Sequence, residues 1–288
     1  MPSKHLRIPG MINNWDFVAN PVSFRLRKHY IKLFLTGMKK QPAFRILKAV
    51  YPQPRWLVYF IYAPAGSLSP SHYYTMSRLR DSGISLLVVC AAMTPLDVPP
   101  DVHKFADALI WKSLSGFDFS AYKLALSAIG KKSPHSDVYV QNDSVFGPFS
   151  DIKGDFENLK WGLTGYTASC EESNHIQSYA FFMRDVCFLK IAKLSTIFFP
   201  LVAFNSFQNV VDLQELRFSR VAARHMKVGA FWYEQDRAIN PVLVKPFELI
   251  DAGFPFLKKA LLGKNAKFQR TDEVKARLYE LNHPVDIA

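Results

Sequence analysis

Between residues 55 and 142 the sequence alternates short apolar runs with amphipathic stretches, and this rhythm constrains the fold more than any other feature. The run RWLVYFIYA reads as a buried strand. The stretch 70-PSHYYTMSRLRDSG-83 reads as a helix, with Ser69 or Ser71 near its cap and Gly83 near its end. Then 84-ISLLVVCAA-92 is a second buried strand. A Pro-rich loop, 95-PLDVPPDV-102, leads to a short strand at 107-DALIW-111. An amphipathic helix over 119-FSAYKLALSAIG-130 precedes another strand at 137-DVYVQN-142. Uniformly apolar strands spaced by helices predict a parallel sheet covered on both faces. In such sheets a ligand sits beyond the carboxyl ends of the strands, near the point where strand order reverses. There the chain carries 141-QNDSVFGPF-149, an amide, a carboxylate and a hydroxyl in succession. An Asx turn is one reading of that stretch and a ligand site is the other.

The second half is less regular. A strand-like turn is expected at 160-KWGLTGY-166, a polar loop at 167-TASCEESN-174, and an apolar strand over 175-HIQSYAFFMR-184. Residues 208–228 carry a helical apolar face of Leu213, Leu216, Phe218 and Val221, and 229-GAFWY-233 reads as a short strand. A helix is expected over 247–252, and the tail beyond residue 266 is polar and reads as peripheral.

Charge is unevenly distributed. Of the net charge of +12, residues 1–60 supply +10, with eleven Lys and Arg against Asp16 alone. Residues 21–50 interleave Phe24, Leu26, Tyr30, Ile31, Leu33, Phe34 and Leu35 with Arg25, Arg27, Lys28 and Lys32, and largely helical structure is expected. Such a segment either lies on an anionic membrane or packs on the domain with a solvated basic face. A nucleic-acid partner is not expected, because the rest of the chain is near neutral and holds no recognised nucleic-acid module. The three cysteines, Cys90, Cys170 and Cys187, are widely spaced and form no CxxC pair, which argues against a disulfide framework or a structural zinc. No run of about 18 uncharged apolar residues is present, and the opening residues lack an apolar signal core. A cytoplasmic chain is expected, peripheral on the inner membrane face if the basic segment binds lipid.

Five stretches in order resemble the rhamnan synthesis protein F family of glycosyltransferases. They are 116-GFDFSAYKLAL-126, 141-QNDSVFGPF-149, 160-KWGLTGY-166 with 175-HIQSYAFFM-183, 213-LQELRFSR-220, and 253-GFPFLKKALL-262. The sequence departs from the family's habit at Phe60-Ile61-Tyr62-Ala63, where His-Tyr is usual. It departs again at 111-WKSLSGFD-118, where Lys112 stands without the usual Arg and Asn. The resemblance implies an α/β, GT-A-like, Rossmann-type mixed sheet with flanking helices over residues 56–265. A basic N-terminal helical segment would precede it at 1–55 and a polar tail would follow at 266–288.

The resemblance also implies a chemistry. The donor would be a nucleotide-sugar and the acceptor a lipid-linked glycan of a surface polysaccharide, with rhamnose or another deoxysugar transferred and the anomeric centre inverted. Donor contacts are expected from Asp118, Asn142, Asp143 and Ser144, and acceptor contacts from His175, Gln177 and Ser178. Glu215 is the expected base, since an inverting enzyme must take the proton of the acceptor hydroxyl. A divalent cation, Mn2+ or Mg2+, is expected on Asp143 and His175, because hard cations favour oxygen ligands and neutralise a leaving diphosphate. Where many GT-A enzymes carry Asp-x-Asp, this chain has Gln141-Asn142-Asp143, with a single carboxylate. That thin acidic motif keeps a second reading open, a non-catalytic carbohydrate-binding or scaffold subunit of a polysaccharide assembly complex.

Overall fold

The computed structural model describes residues 7–21 and 24–284. The remaining residues of the expected N-terminal segment and tail, 1–6, 22–23 and 285–288, lie outside the described residues.

A ten-stranded mixed sheet forms the centre. In chain order its strands are β1 (Met11–Asp16), β2 (Phe44–Lys48), β3 (Arg55–Tyr62), β4 (Ser85–Ala91), β5 (Ala108–Lys112), β6 (Ser136–Asn142), β7 (Leu163–Ser169), β8 (His175–Ile176), β9 (Ala180–Val186) and β10 (Val228–Glu234). Across the sheet they run β1-β10-β7-β9-β6-β3-β4-β5-β2, with β8 added to β7. The block β5-β4-β3-β6 is parallel, as the apolar runs predict. Its side chains alternate between two buried faces. Trp56, Val58 and Phe60 of β3 point into one core, and Leu57, Tyr59 and Ile61 into the other. The Phe117–Lys132 helix covers the first face through Phe119, Tyr122, Leu126 and Ile129. The Pro70–Asp81 helix covers the second through Met76 and Leu79. Ser69 caps the latter, and the His72 imidazole reaches back to the Ser69 backbone N–H at 3.0 Å.

Strand order reverses between β3 and β6. From β3 the chain moves outward to β4 and β5, then crosses back over the Phe117–Lys132 helix to β6 on the other side of β3. Tyr62 and Asn142, which end those strands, therefore flank the crevice that such a reversal opens.

The N-terminal segment differs from expectation. Only Phe24–Gly37 is helical, and the chain then forms a short strand, Met38–Lys40, followed by β2. Pro42 is the physical reason. It has no N–H to donate and disfavours helix in the residue before it. Gln41 is instead tied by its side-chain amide to the carbonyls of Phe199 and Val202, both at 2.6 Å. β1 and β2 then close opposite edges of the sheet, pairing with β10 and β5. Arg45 is exposed on the β2 edge, where charge discourages further strand pairing, and the Lys48 ammonium donates to the carbonyls of His103 and Ala106 at 2.6 and 2.9 Å.

Three expectations in the second half are also revised. The expected polar loop at 167–174 begins as strand, because β7 runs on to Ser169 with every residue buried. The single strand expected over 175–184 is split into β8 and β9, with Gln177–Tyr179 leaving the ladder between them. The tail is not peripheral. Thr271–Glu280 is a helix whose Val274 and Leu278 join Phe146, Leu257 and Leu261 in a small third core, and His283 is buried against Tyr74 and Phe146. Two apolar residues four apart on a short polar helix are enough to seat it, each worth roughly 1.5–3 kcal/mol when buried.

Candidate active site

A cleft of about 900 Å3 opens at the carboxyl ends of β3 and β6. Four segments carry its charged side chains. The first is the loop after β6. Asn142 ends the strand, Asp143 and Ser144 form a turn, and a two-residue strand follows, Val145–Phe146. Gly147 follows at φ +111, and a Cβ there would collide with the Pro255 carbonyl oxygen. That close approach lets Val145–Phe146 pair with Leu257–Lys258, which brings the second segment, with Lys258 and Lys259, to the cleft. The third is the start of the Phe117–Lys132 helix. Gly116 adopts the left-handed region at φ +86, with its N–H on Asn205 Oδ1 at 2.8 Å and its Cα packed too tightly on Ser120 and Ala203 for a side chain. The fourth is a helical run, Phe207–Val210 and Leu216–Ala222, joined through a π turn at Val211–Glu215. The wider turn sets Glu215 on the cleft wall. Such turns are frequent at functional sites.

The acidic side chains meet here. Asp118 accepts from the Phe119 N–H at 2.9 Å and from Asn142 Nδ2 at 2.9 Å. It thereby satisfies a first-turn N–H of its own helix and links that helix to the end of β6. Asn142 Oδ1 in turn accepts from the Ser144 N–H and hydroxyl at 3.0 and 2.6 Å. Glu215 accepts from the Ser178 N–H at 3.0 Å, which accounts for the break between β8 and β9. Burial pushes the Asp118 carboxyl up to about 6, the nearby Glu215 charge pushes the same way, and the Asn142 hydrogen bond offsets part of it. Two carboxylates repelling one another in a partly dry cleft are the arrangement that proton-transfer chemistry uses.

The basic side chains stand opposite. Lys258 Nζ lies 3.9 Å from the Tyr179 ring centroid and 3.3 Å from Ser144 Oγ. Burial lowers its pKa to about 8, against the pull of Glu215 and Asp118. Burial also lowers Lys259, which lies over the Phe146 ring, and Asp143 opposes that shift. Lys264 lines the rim over Phe207.

Seven of the eight expected site residues line this one cleft: Asp118, Asn142, Asp143, Ser144, Gln177, Ser178 and Glu215. Asp143 also does a structural task, since its Oδ2 accepts the Tyr62 N–H at 2.8 Å across the strand reversal and lies 3.5 Å from His72. Gln177 is held by Thr167 and Asn240 at 2.6 and 3.0 Å. His175 is not brought into the cleft lining. It is buried on β8, paired with Ser169, and its Nδ1 lies 2.7 Å from the Ser173 carbonyl. The expected metal pair of Asp143 and His175 is therefore not assembled on the cleft wall. Among the described residues no group of three or more His, Cys, Asp or Glu is set to hold a metal ion. Each cleft carboxylate accepts at least one hydrogen bond from the protein, and lysines share its wall.

Sequence patterning alone does not place Lys258 and Lys259; the pairing of Leu257–Lys258 with Val145–Phe146 brings them to the cleft. Patterning missed Asn205 and Lys264, which no spacing signal marks because what brings them to the cleft is the packing of their loops.

Comparisons with known proteins give three findings. No curated protein sequence matches the chain. Among solved structures, a 4-diphosphocytidyl-2C-methyl-D-erythritol synthase from Anaerococcus prevotii is similar at 13% identity, covering 69% of this chain and 95% of its own, with a TM-score of 0.36. A protein from Desulfovibrio desulfuricans described as a nucleotide-diphospho-sugar transferase is similar at 9% identity, covering 81% of this chain and 100% of its own, with a TM-score of 0.37. Likenesses that distant carry no functional argument. The sequence pattern of rhamnan synthesis protein F, by contrast, matches residues 86–282, a span that holds every cleft-lining residue except Phe60 and Tyr62. Matched over about two thirds of its length, the chain belongs to the rhamnan synthesis protein F family.

Proposed function

We propose that this chain is a glycosyltransferase that moves a sugar, rhamnose or another deoxysugar, from a nucleotide-sugar to a surface polysaccharide acceptor. The observation that carries the reading is the meeting of Asp118, Asp143 and Glu215 with Lys258 and Lys259 in one cleft beyond the reversal of strand order. Transfer needs a base for the acceptor hydroxyl and positive charge for the departing diphosphate, and both kinds of group line this wall. In the proposed step the acceptor oxygen attacks the anomeric carbon from the side opposite the diphosphate. The bond to the diphosphate oxygen breaks with its electron pair, and Glu215 takes the hydroxyl proton. Asp118 and Asn142 orient the donor sugar, and Gln177 and Ser178 meet the acceptor.

A lipid-linked acceptor is part of the proposal. No helix among the described residues is long and apolar enough to cross a membrane. The Phe24–Gly37 helix, however, turns Tyr30, Leu33 and Phe34 toward the core and leaves Ile31 and Leu35 each 61% exposed beside Lys32. Its continuation, Met38–Lys40, pairs with Val202–Phe204, which leads directly to Asn205 and Phe207 on the cleft. A basic, partly apolar patch next to the cleft suits docking on an anionic lipid surface from which the acceptor is drawn.

The test is a transfer assay with a panel of nucleotide-sugars and a lipid-linked glycan acceptor, following release of nucleoside diphosphate. Sugar transfer that is lost in Glu215→Gln supports the reading. Binding of glycans without nucleotide binding would instead make the chain a carbohydrate-binding subunit.

A further inference from the structure

We infer that the diphosphate of the donor is neutralised in this cleft by Lys258, Lys259 and Lys264, in place of a resident divalent cation. The inference rests on the glycosyltransferase reading and concerns the same site.

The carboxylates are the first argument. A hard cation needs about six oxygen ligands, and Mg2+ takes one or two of them from protein carboxylates beside phosphate oxygens and water. Asp143, the carboxylate at the end of β6, already accepts the Tyr62 N–H and has Lys259 as a charge neighbour. Asp118 receives the Phe119 N–H on one oxygen and the Asn142 amide on the other. Glu215 receives the Ser178 N–H, and Asp118 and Glu215 share Lys258 as a charge neighbour. A divalent ion on any of the three would feel the charge of Lys258 or Lys259, and like charges in one partly dry cleft repel.

The lysines are the second. None of the three forms an ion pair within 4 Å among the described residues, and each leans on an aromatic ring, of Tyr179, Phe146 and Phe207 respectively. A ring face steadies an ammonium without cancelling its charge, so the N–H donors stay available to an incoming anion. The three come from one stretch, 258–264, whose position is fixed by the Leu257–Lys258 pairing with Val145–Phe146. The acidic and basic side chains lining the cleft are equal in number, Asp118, Asp143 and Glu215 against Lys258, Lys259 and Lys264. An arriving diphosphate therefore meets a neutral cleft with its positive wall already assembled. As the anomeric carbon–oxygen bond breaks, the electron pair passes to the diphosphate oxygen and the added negative charge falls on these ammonium groups.

The experiment is calorimetric titration of UDP, GDP and dTDP into the full chain, with EDTA in one arm and Mg2+ or Mn2+ in the other. It is run on wild type, Lys258→Met, Lys258→Arg and Lys264→Met, with thermal melts to confirm folding. Lys264 is exposed, so its variant is secure against misfolding. The expected result is binding of at least one nucleoside diphosphate in EDTA within about threefold of its metal-loaded affinity. Lys258→Met should weaken it about tenfold or more, Lys264→Met severalfold, and Lys258→Arg much less, since a guanidinium keeps the charge-assisted contact to phosphate. Binding that requires the metal and ignores both Met variants overturns the inference and leaves the glycosyltransferase reading standing. No binding of any nucleoside diphosphate in either arm overturns both.

Discussion

Asp118 and Lys258 are the residues through which pH should act on this protein. Asp118 is pushed up to about 6 and Lys258 down to about 8, in both cases chiefly by burial. If transfer needs an ionised Asp118 and a protonated Lys258, kcat/KM should rise through pH 6 and fall above pH 8, a bell whose limbs a pH series would read. Asp118→Asn should remove the acid limb and Lys258→Arg should move the basic limb upward. The same shift has a consequence for stability. A carboxyl whose folded pKa lies above its unfolded value binds its proton more tightly when folded, so stability falls as pH rises from about 4 to about 6 and stays reduced above. Between pH 4 and pH 7 the stability of Asp118→Asn relative to wild type should therefore improve by about 2–3 kcal/mol, from a low-pH value set by the hydrogen bond that the amide cannot accept, as melts at the two pH values would show. Glu215→Gln is expected to cost about 100-fold or more in kcat with little change in Tm. Asp143→Ala differs from both, because it frees the Tyr62 N–H at the strand reversal and should lower stability as well as transfer.

At the scale of elements, the cleft depends on two local devices. Gly116 holds a left-handed conformation that sets the first turn of the Phe117–Lys132 helix, and Gly116→Ala should cost about 1–3 kcal/mol in chemical denaturation. The tail helix supports the lysine stretch from below, since Leu278 and Leu257 share one small core. Leu278→Ala should cost about 2–5 kcal/mol and also weaken nucleoside diphosphate binding, because Lys258 rides on the strand that this core seats. The strands of the parallel block and both covering helices were legible in the sequence. Their apolar runs are long, both faces are buried, and Ser69, Gly83 and Gly116 punctuate their ends. Less legible was the N-terminal segment, where Phe44–Lys48 carries a basic composition that suits a solvated helix face as well as a charged sheet edge. The π turn at Val211–Glu215 leaves no mark on periodicity, because one extra residue in a helical repeat is within the scatter of the apolar pattern.

For the whole molecule, the proposed lipid contact is a matter of summed charge. Replacing Lys32, Lys39 and Lys40 by Glu should abolish sedimentation with vesicles containing phosphatidylserine, and wild-type binding should weaken steeply with added salt. Loss of vesicle binding without loss of transfer to a water-soluble acceptor would separate docking from chemistry. What the sequence by itself determined is the alternation of strand and helix, the polar stretch that ends β6 on the cleft, and the family, because these are written in contiguous residues. Period, capping residues and the Asn142-Asp143-Ser144 stretch all act within a few positions of one another. Only the tertiary structure decided which distant groups share the cleft. It set Lys258 against Tyr179, turned Ser178 toward Glu215, tied Asp143 to Tyr62, and kept His175 out. Those outcomes depend on strand register and on how far each loop reaches back over the sheet. Both are fixed by the packing of the two cores rather than by any local run of residues.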